Sequence, residues 1–253
     1  MIAELPIPLQ KKLTRYVSRC SVEFKLIEPE DRIMVAFSGG KDSIMLIHLL
    51  DSIRRIVPFH FDIGVFHLNQ SAPDFPAKSA LDQIAAEGYD VWHEDLDMAN
   101  ILTLKVKPED SPCGLCSRLR RGIIYTQATK HGYNKIALGH HQDDAIETLM
   151  MNLMYNGQIK SMPARLLADN NVNIIIRPML YIPEKYLIEG SKYLNIPVSE
   201  QTFCTRGHSG ERYQTKQLLA SLEAKNPNIK GSMMRALHHV LPSHLLDTNL
   251  YKK

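Results

Sequence analysis

The amino-acid sequence predicts a doubly wound α/β fold, with a mostly parallel sheet of five strands and a helical C-terminal extension. Two observations indicate this class. Short apolar, β-rich runs end abruptly at glycines or polar residues, and segments of ten or more residues with apolar residues at helical spacing separate them. Strands that alternate with helices of this length form parallel βαβ units. A third observation marks the extension, because the alternation is lost from about residue 198 onward.

The elements follow in order along the chain. Residues 1–30 are predicted to be a helical lead-in, and residues 32–38 are a buried strand that stops at two glycines. The other strands are predicted at 61–68, 90–96, 135–139 and 173–177. Helices are predicted at 42–55, 76–88, 117–131, 142–155 and 183–194. The expected organisation is a lead-in (1–30), an α/β domain (31–197) and a helical extension (198–253).

Composition places the chain among soluble globular proteins. The 253 residues are 44% hydrophobic and 23% charged, with a formal net charge of +3. No apolar stretch is long enough to cross a bilayer, and the N-terminus lacks the charged-then-apolar order of a secretion signal. We therefore expect a cytoplasmic protein without membrane association. Four cysteines in such a chain favour metal or redox chemistry over a disulfide framework.

The first strand leads into a glycine-containing polar loop of six residues. Glycines let a phosphate approach the backbone closely, and the free N–H groups of the following helix attract an anion. Hydroxyls and one lysine add donors, whereas Asp42 suits Mg²⁺ better than phosphate. The alternative is a tight turn that merely needs glycine. The candidate pyrophosphate-binding residues are Ser38, Gly39, Gly40, Lys41, Asp42 and Ser43.

A second polar segment follows the fourth predicted strand. Gly139 and His140 are followed by the carboxylates of Asp143 and Asp144. Because the carboxyl ends of parallel strands meet at one edge of a sheet, we expect this segment to face the same cleft as the loop. Asp143 is a candidate Mg²⁺ ligand, and capping of the following helix is the alternative role for either aspartate.

The cysteines allow three interpretations. Cys113 and Cys116 precede a basic cluster, which would favour their thiolates, and Cys204 is the obvious third ligand, with Cys20 as an outside candidate. Three cysteines can hold a [4Fe–4S] cluster with one open iron. They can also bind zinc with a fourth ligand such as His208. In the third interpretation, Cys113 and Cys116 cycle between dithiol and disulfide.

Residues 38–43 resemble the PP-loop of the ATP pyrophosphatase superfamily, whose fold is adenine nucleotide alpha hydrolase-like. Residues 112–125 and 135–149 resemble, more specifically, the signature blocks of the TtcA family of tRNA 2-thiocytidine synthetases. Residues 176–180 and 240–248 are similar to that family too, so the likeness runs from about residue 25 to 251. The sequence departs from the family pattern at Asn69, Gln142 and Gln201, where an acidic residue, an arginine and a further cysteine are usual.

The resemblance implies ATP-dependent 2-thiolation of cytidine 32 in the tRNA anticodon loop. It implies catalytic roles for Lys41, Asp42, Cys113, Cys116 and Cys204, the three cysteines holding a [4Fe–4S] cluster, with Mg²⁺ and ATP. It further implies tRNA, a sulfur donor such as a cysteine desulfurase, and a homodimer as partners. Arg118, Arg120 and Arg121 are the expected tRNA contacts. The rival hypotheses are another carbonyl-adenylating PP-loop enzyme and a nucleotide-binding Fe–S sensor without turnover.

Overall fold

The structure is a computed structural model that describes residues 2–70, 74–107, 110–198 and 210–251. It confirms the predicted α/β class. The strands are β1 (Arg32–Phe37), β2 (Asp62–Asn69), β3 (Asp90–Asp95), β4 (Lys135–Ala137), β5 (Arg165–Leu167) and β6 (Ile174–Ile176). The helices are α1 (Ile7–Phe24), α2 (Lys41–Arg54), α3 (Lys78–Ala86), α4 (Met98–Lys105), α5 (Cys113–Lys130), α6 (Gln142–Tyr155), α7 (Glu184–Ser191), α8 (Glu211–Lys225) and α9 (Ile229–Ala236). Two short 3₁₀ helices follow, at Pro242–His244 and Thr248–Tyr251.

The sheet has the strand order β3-β2-β1-β4-β6-β5, and its first five strands are parallel. The described residues thus form six strands where the sequence predicted five. The additional strand, β5, runs antiparallel to β6 at the edge of the sheet. Its three residues are all exposed, so it carries none of the periodicity by which a strand is recognised in a sequence.

Two helices also differ from the prediction. Helix α4 lies between the strand predicted at 90–96 and the helix predicted at 117–131, where no element was predicted. The Asp97 side chain caps it by accepting from the backbone N–H of Asn100 at 3.0 Å. Helix α5 begins at Cys113, four residues earlier than predicted. Both cysteines of the pair therefore lie in its first turn, one face of which they share at positions i and i+3.

The core lies on both faces of β1 and β2, in which nearly every residue after the first is buried. One cluster takes Met34, Phe66, Ile136 and Ile175 from four adjacent strands and packs them with Ala128 of α5. Helix α2 buries eight of its fourteen residues. This packing fixes the positions at which the segments following β1 and β4 leave the carboxyl edge of the sheet.

The strand order reverses between β1 and β4. From β1 the chain passes through α2 to β2 on one side, whereas from β4 it passes on to β6 on the other side. Right-handed crossovers then place α2 and α5 on opposite faces of the sheet. In open α/β sheets, the carboxyl ends of the strands at such a reversal form the ligand-binding crevice. The two polar segments noted in the sequence follow β1 and β4.

A buried ion pair ties the segment before β1 to the start of β4. Lys135 is 1% exposed, and its ammonium lies 2.6 Å from Asp31 and 2.8 Å from Glu28, while it also donates to the Leu26 carbonyl. The hydrogen bond from Lys135 lowers the pKa of Glu28 below its ordinary value. The lead-in is thereby fixed to the sheet at the edge opposite the crevice.

The chain divides into two compact units. The first consists of Met1–His141 and Pro163–Thr205 and includes all six strands; the second consists of Gln142–Met162 and Arg206–Lys253 and includes α6, α8 and α9. The boundaries predicted at residues 30/31 and 197/198 stay predictions. No helix among the described residues is long and apolar enough to span a membrane.

Candidate active site

The polar loop after β1 has the geometry of an anion-binding turn. Gly39 has a φ of 85°, in the left-handed region that favours glycine, and Gly40 caps α2 in an extended conformation without a side-chain hydrogen bond. The first turn of α2 therefore receives no capping side chain at its N–H groups, which carry the positive end of the helix dipole. An anion is the natural partner of such a turn.

Two serines hold the loop closed. The Ser43 hydroxyl donates to the Gly40 carbonyl at 2.8 Å and accepts from the Ser38 backbone N–H at 3.3 Å. The two hydroxyl oxygens are 3.2 Å apart, and the Ser38 hydroxyl also accepts from the Gly40 N–H at 3.4 Å. These bonds stabilise the turn before a ligand arrives, so binding need not order it.

Lys41 lies between two carboxylates at the start of α2. Its ammonium is 2.8 Å from Asp42 and 3.6 Å from Glu184, the first residue of α7. All three side chains are partly exposed, at 26%, 31% and 19% for Lys41, Asp42 and Glu184. The lysine charge is thus balanced by protein carboxylates, and both the lysine and the carboxylates remain accessible from solvent.

The segment after β4 approaches the loop backbone to backbone. A Cβ added at Gly139 would lie 3.3 Å from the carbonyl carbon and oxygen of Asp42 and from the nitrogen of Ser43. A side chain at residue 139 would crowd these backbone atoms, and the close contact places the Gly139–His140 peptide beside the first turn of α2. The structure therefore brings Gly139 together with the loop, as the sequence predicted, and His140 follows as a half-buried neighbour.

In the second unit, the two aspartates at the start of α6 are bound by basic residues of the C-terminal helices. Lys230 of α9 lies 2.8 Å from Asp143 and 2.7 Å from Glu223. Arg212 of α8 lies 3.2 Å from Asp144 and 3.6 Å from Glu147. Asp143 is nearly buried, at 8% side-chain exposure. Both aspartates also lie in the first turn of α6, where negative charge is favourable.

The Lys230 ammonium is held in its charged form. Partial burial by itself lowers the pKa of Lys230, but the hydrogen bonds and charges of Asp143 and Glu223 outweigh it, so the pKa lies above the usual lysine value. Lys230 is thus bound by two carboxylates of the second unit. The partners of Asp143 and Asp144 were not predicted from the sequence.

The cysteine pair lies at the same edge of the sheet as the phosphate loop. Cys113 is exposed and Cys116 half-buried in the first turn of α5, and the Cys116 thiol lies 3.9 Å from the side-chain oxygen of Gln70. Gln70 directly follows β2, the neighbour of β1. The arrangement suits two thiolate ligands to one metal group.

Cys20 is unsuited to metal binding. It is fully buried in α1, where its thiol donates to the Arg177 carbonyl at 3.7 Å. Burial, aided by the charge of Glu23, raises the pKa of Cys20 to about 12. Cys20 therefore stays a neutral thiol. Cys204, the other ligand candidate, lies outside the described residues together with Gln201 and His208, and the part of the chain that is described contains no group of three side chains that could hold a metal ion.

Asn69 makes a structural contact at the end of β2. Its amide donates to the Asp74 carbonyl and to the Asp95 carboxylate, both at 2.8 Å. A carboxylate at this position would face Asp95 and repel it, whereas the neutral amide bridges the ends of β2 and β3. Asn69, which departs from the family pattern, thus makes a structural contact that an acidic residue could not make in this chain.

The three arginines of α5 are all exposed. Only Ala128 of the eighteen residues in this helix is buried, and a Cβ added at Gly114 or Gly122 would meet no atom within 4 Å. The N-terminal half of α5 is therefore an open, positively charged surface that carries Arg118, Arg120 and Arg121.

Sequence reasoning missed two further contacts of the site. Glu184, which reaches Lys41, follows a proline at the start of a helix, and Gln70, which reaches Cys116, immediately follows a strand. Both positions are recognisable as the carboxyl edge once the strand order is known. That order is not readable from the sequence, which therefore could not pair these residues with their partners.

The chain is similar to proteins of known families. A family model described as PP-loop domain matches residues 8–200. A tRNA-cytidine(32) 2-sulfurtransferase of Polynucleobacter asymbioticus is 39% identical over 94% of this chain and 79% of that protein. The protein of that name from Sorangium cellulosum is 40% identical over 97% of this chain and 87% of its own length. Among solved structures, the U34-tRNA thiolase NcsA from Methanococcus maripaludis with its [4Fe–4S] cluster matches with a TM-score of 0.68 and 20% identity, over 92% of this chain and 80% of that one.

Proposed function

The chain belongs to the PP-loop family and, within it, to the tRNA-cytidine(32) 2-sulfurtransferases, and we propose that it performs the reaction of that family: ATP-dependent replacement of the C2 oxygen of cytidine 32 in tRNA by sulfur. The observation that carries the proposal is the presence of a phosphate loop and a cysteine pair at the carboxyl ends of adjacent strands. ATP activation and sulfur transfer must act on the same base, and this edge of the sheet carries residues suited to each of the two steps.

The loop supplies the binding site for the pyrophosphate part of ATP. N–H groups at the start of α2, the Ser38 and Ser43 hydroxyls and the Lys41 ammonium are the donors. Lys41 exchanges its carboxylate partners for phosphate oxygens when ATP binds. Its charge then stabilises the negative charge that grows on the departing pyrophosphate. Residues Gly139 and His140 border the nucleotide on the β4 side.

The reaction balances as two substitutions. The C2 oxygen of the cytosine attacks the α-phosphorus of ATP, and the bond from that phosphorus to pyrophosphate breaks. A hydrosulfide-equivalent nucleophile then attacks C2, the C2–O bond breaks, and AMP leaves with the original oxygen. The proton of the sulfur nucleophile passes to solvent or pyrophosphate. The products are 2-thiocytidine, AMP and pyrophosphate.

Two groups complete the proposed site. A [4Fe–4S] cluster held by Cys113, Cys116 and Cys204 would supply an open iron where the sulfur is held, and Asp42 would hold Mg²⁺ against the phosphates. The described residues fit both. Cys113 and Cys116 share a helix face at an N-terminus, and the Asp42 carboxylate lies partly exposed beside the loop. We also propose Asp143, which is bound by Lys230, as a ligand of Mg²⁺.

The partners follow from the same chemistry. We propose that Arg118, Arg120 and Arg121 bind tRNA phosphates on the open surface of α5, close to the cysteine pair. The family resemblance further leads us to propose that a cysteine desulfurase or a similar cytoplasmic donor supplies the sulfur and that two copies form a homodimer. An unpaired loop base can be turned into a pocket at modest cost, which suits an enzyme acting on one nucleotide.

The test compares Cys113→Ala with Cys20→Ala after anaerobic purification. We expect the wild type and Cys20→Ala to contain about four irons and four sulfides per chain, with a broad absorption band near ~400 nm. Cys113→Ala should lose the iron and form no 2-thiocytidine by nucleoside mass spectrometry, yet still bind ATP.

The possible results separate the rival hypotheses. Thiolation retained in Cys113→Ala would contradict the proposed mechanism. ATP binding without pyrophosphate release when tRNA is supplied would instead indicate a sensor. Pyrophosphate release without 2-thiocytidine would indicate a PP-loop enzyme that modifies another carbonyl.

A further inference from the structure

The N-terminal segment carries the whole positive excess of the chain. Residues 1–25 contain five basic residues against the two acidic residues Glu4 and Glu23, which gives a net charge of +3. The whole sequence, with 30 basic and 27 acidic residues, also has a net charge of +3, so the other 228 residues are balanced. The five basic residues are Lys11, Lys12, Arg15, Arg19 and Lys25.

Helix α1 gathers four of these charges on one side. Lys11, Lys12, Arg15 and Arg19 fall within an arc of about 100° at 3.6 residues per turn, and they span about 12 Å along the axis. All four are exposed, whereas the opposite stripe of Leu9, Leu13, Val17 and Cys20 is buried. The charges are thus presented outward by a helix whose other face is fixed in the core.

Tyrosines lie among these charges and hold two of them in place. The Lys12 ammonium lies 4.3 Å from the centre of the Tyr186 ring, and the Arg19 guanidinium lies 5.3 Å from that of Tyr181. Tyr186 also stacks with Tyr16 at 6.3 Å and is approached by the Lys185 ammonium at 5.3 Å. Tyr181 is buried and Tyr16 and Tyr186 are half-buried, so these rings hold the basic side chains in place rather than stack with a base.

This surface, here called the basic ridge and consisting of Lys11, Lys12, Arg15, Arg19 and Lys185, reaches the candidate active site through α7. Lys185 is adjacent to Glu184, whose carboxylate lies 3.6 Å from the Lys41 ammonium of the phosphate loop. The ridge therefore begins one residue from a contact of the site and continues along α1.

A groove of about 890 Å³ lies beside the ridge, between α1 and the C-terminal half of α2. Lys11 and Arg15 line one side of it, and Arg54 and Arg55 line the other, where both bind Asp51 at 2.6 Å. Glu4 and Glu87 also contribute to its lining. Hydrogen bonds of Gln10 to Ser52 and to His48 form a polar floor. A groove of this size accepts a nucleotide-sized group.

We propose that the basic ridge binds the sugar–phosphate backbone of the tRNA substrate, as a second RNA contact besides the arginines of α5. This inference rests on the proposed function. Helix α1 packs against α2, and α2 lies on the sheet face opposite α5, so the ridge and the α5 arginines lie on opposite sides of the sheet. The backbone on one side of the target base then contacts α5, and the backbone on the other side contacts the ridge.

The test is the double charge reversal Lys11→Glu/Arg15→Glu, measured by tRNA binding at several salt concentrations. We expect the Kd for tRNA to rise at least about tenfold at ~150 mM salt, and the slope of log Kd against log salt to fall by about 1.5, because two phosphate contacts are lost. The KM for tRNA should rise, while kcat at saturating tRNA and the Kd for ATP stay within about twofold of the wild type, since neither residue belongs to the phosphate loop.

The matched control is Lys130→Glu/Lys192→Glu, which changes the net charge equally at two exposed lysines at the ends of α5 and α7. It should bind tRNA nearly as the wild type does. Equal loss in both double variants, or none in the ridge variant, would overturn the proposal. Thiolation lost only with a protein sulfur donor, at unchanged tRNA affinity, would assign the ridge to that donor and also overturn it.

The ridge and the proposed function fail in distinguishable ways. If the wild-type chain neither binds tRNA nor forms 2-thiocytidine, the proposed function is wrong, and the ridge proposal falls with it. If the wild type does both and the ridge variant binds tRNA equally tightly, only the ridge proposal is wrong.

Discussion

Gly139 and Gly39 have different structural roles in the candidate site. Gly39 adopts a backbone conformation that other residues avoid, which shapes the loop itself. Gly139 has no such conformation, and its role is to let the end of β4 touch the first turn of α2. The atoms it approaches belong to the backbone of Asp42 and Ser43, which cannot rotate away.

Gly139→Ala should therefore disturb the phosphate loop without altering any ligand. Overpacking of this kind costs about 1–3 kcal/mol, so we expect ATP to bind about tenfold more weakly in calorimetric titration. The matched change Gly122→Ala places its methyl group in open space and should leave the Kd for ATP unchanged. Equal ATP affinity in both variants would show that the loop tolerates the added atom.

At the scale of elements, the start of α6 differs most from the expectation. The sequence indicates that Asp143 and Asp144 serve the nucleotide or cap the helix, whereas the structure gives each a basic partner from α8 or α9. These contacts explain why a tail without β-strand alternation folds on α6. Charges of α8 and α9 balance those of a helix that would otherwise carry three carboxylates in its first six residues.

Lys230→Met should destabilise the second unit because Asp143, at 8% exposure, loses its counter-charge. The raised pKa of Lys230 sets the pH dependence of this effect. The stabilisation that Lys230 provides is fully present below its unfolded-state pKa of about 10.4, and it is lost as the pH rises through the higher pKa of the folded state. The difference in melting temperature between wild type and variant should thus be constant from pH 7 to about 10 and shrink above that.

The exposed neighbour Lys225 provides the control for this change. Lys225→Met removes the same charge from the end of α8, and we expect a much smaller shift in melting temperature at pH 8. A gap between Lys230→Met and wild type that persists undiminished well above pH 11 would mean that packing, rather than charge, is what Lys230 contributes.

At the scale of the whole molecule, the sheet brings separate segments of chain to one edge. The phosphate loop, Gly139 and the Gln70–Cys116 contact follow three strands that are adjacent in space. The opposite edge has a structural function instead. There, Lys135 joins β4 to the lead-in through Asp31 and Glu28.

Lys135→Met should lower the free energy of unfolding by about 3 kcal/mol, since Asp31 at 4% exposure would keep a buried charge without its ammonium partner. Chemical denaturation at pH 7 measures this, and Asp31→Asn in the same chain should recover part of the loss. The lowered pKa of Glu28 adds a pH dependence. The stabilisation that Glu28 provides is present above its unfolded-state pKa of about 4.3, and it is lost as the pH falls through the lower pKa of the folded state. The gap between wild type and variant should accordingly narrow as the pH falls below about 4, and an unchanged gap there would contradict the role of Glu28.

Much of this protein follows from the sequence by itself. Local patterns predict the phosphate loop, the parallel strands, the cysteine pair and the basic helix, because glycine conformation, strand periodicity and charge are properties of neighbouring residues. The sequence could not predict β5, the start of α5 at Cys113, or the pairing of Lys41 with Glu184, Cys116 with Gln70 and Asp143 with Lys230. These features depend on which strands and helices become neighbours. That choice is made by burial of the whole sheet, and only the tertiary structure records it.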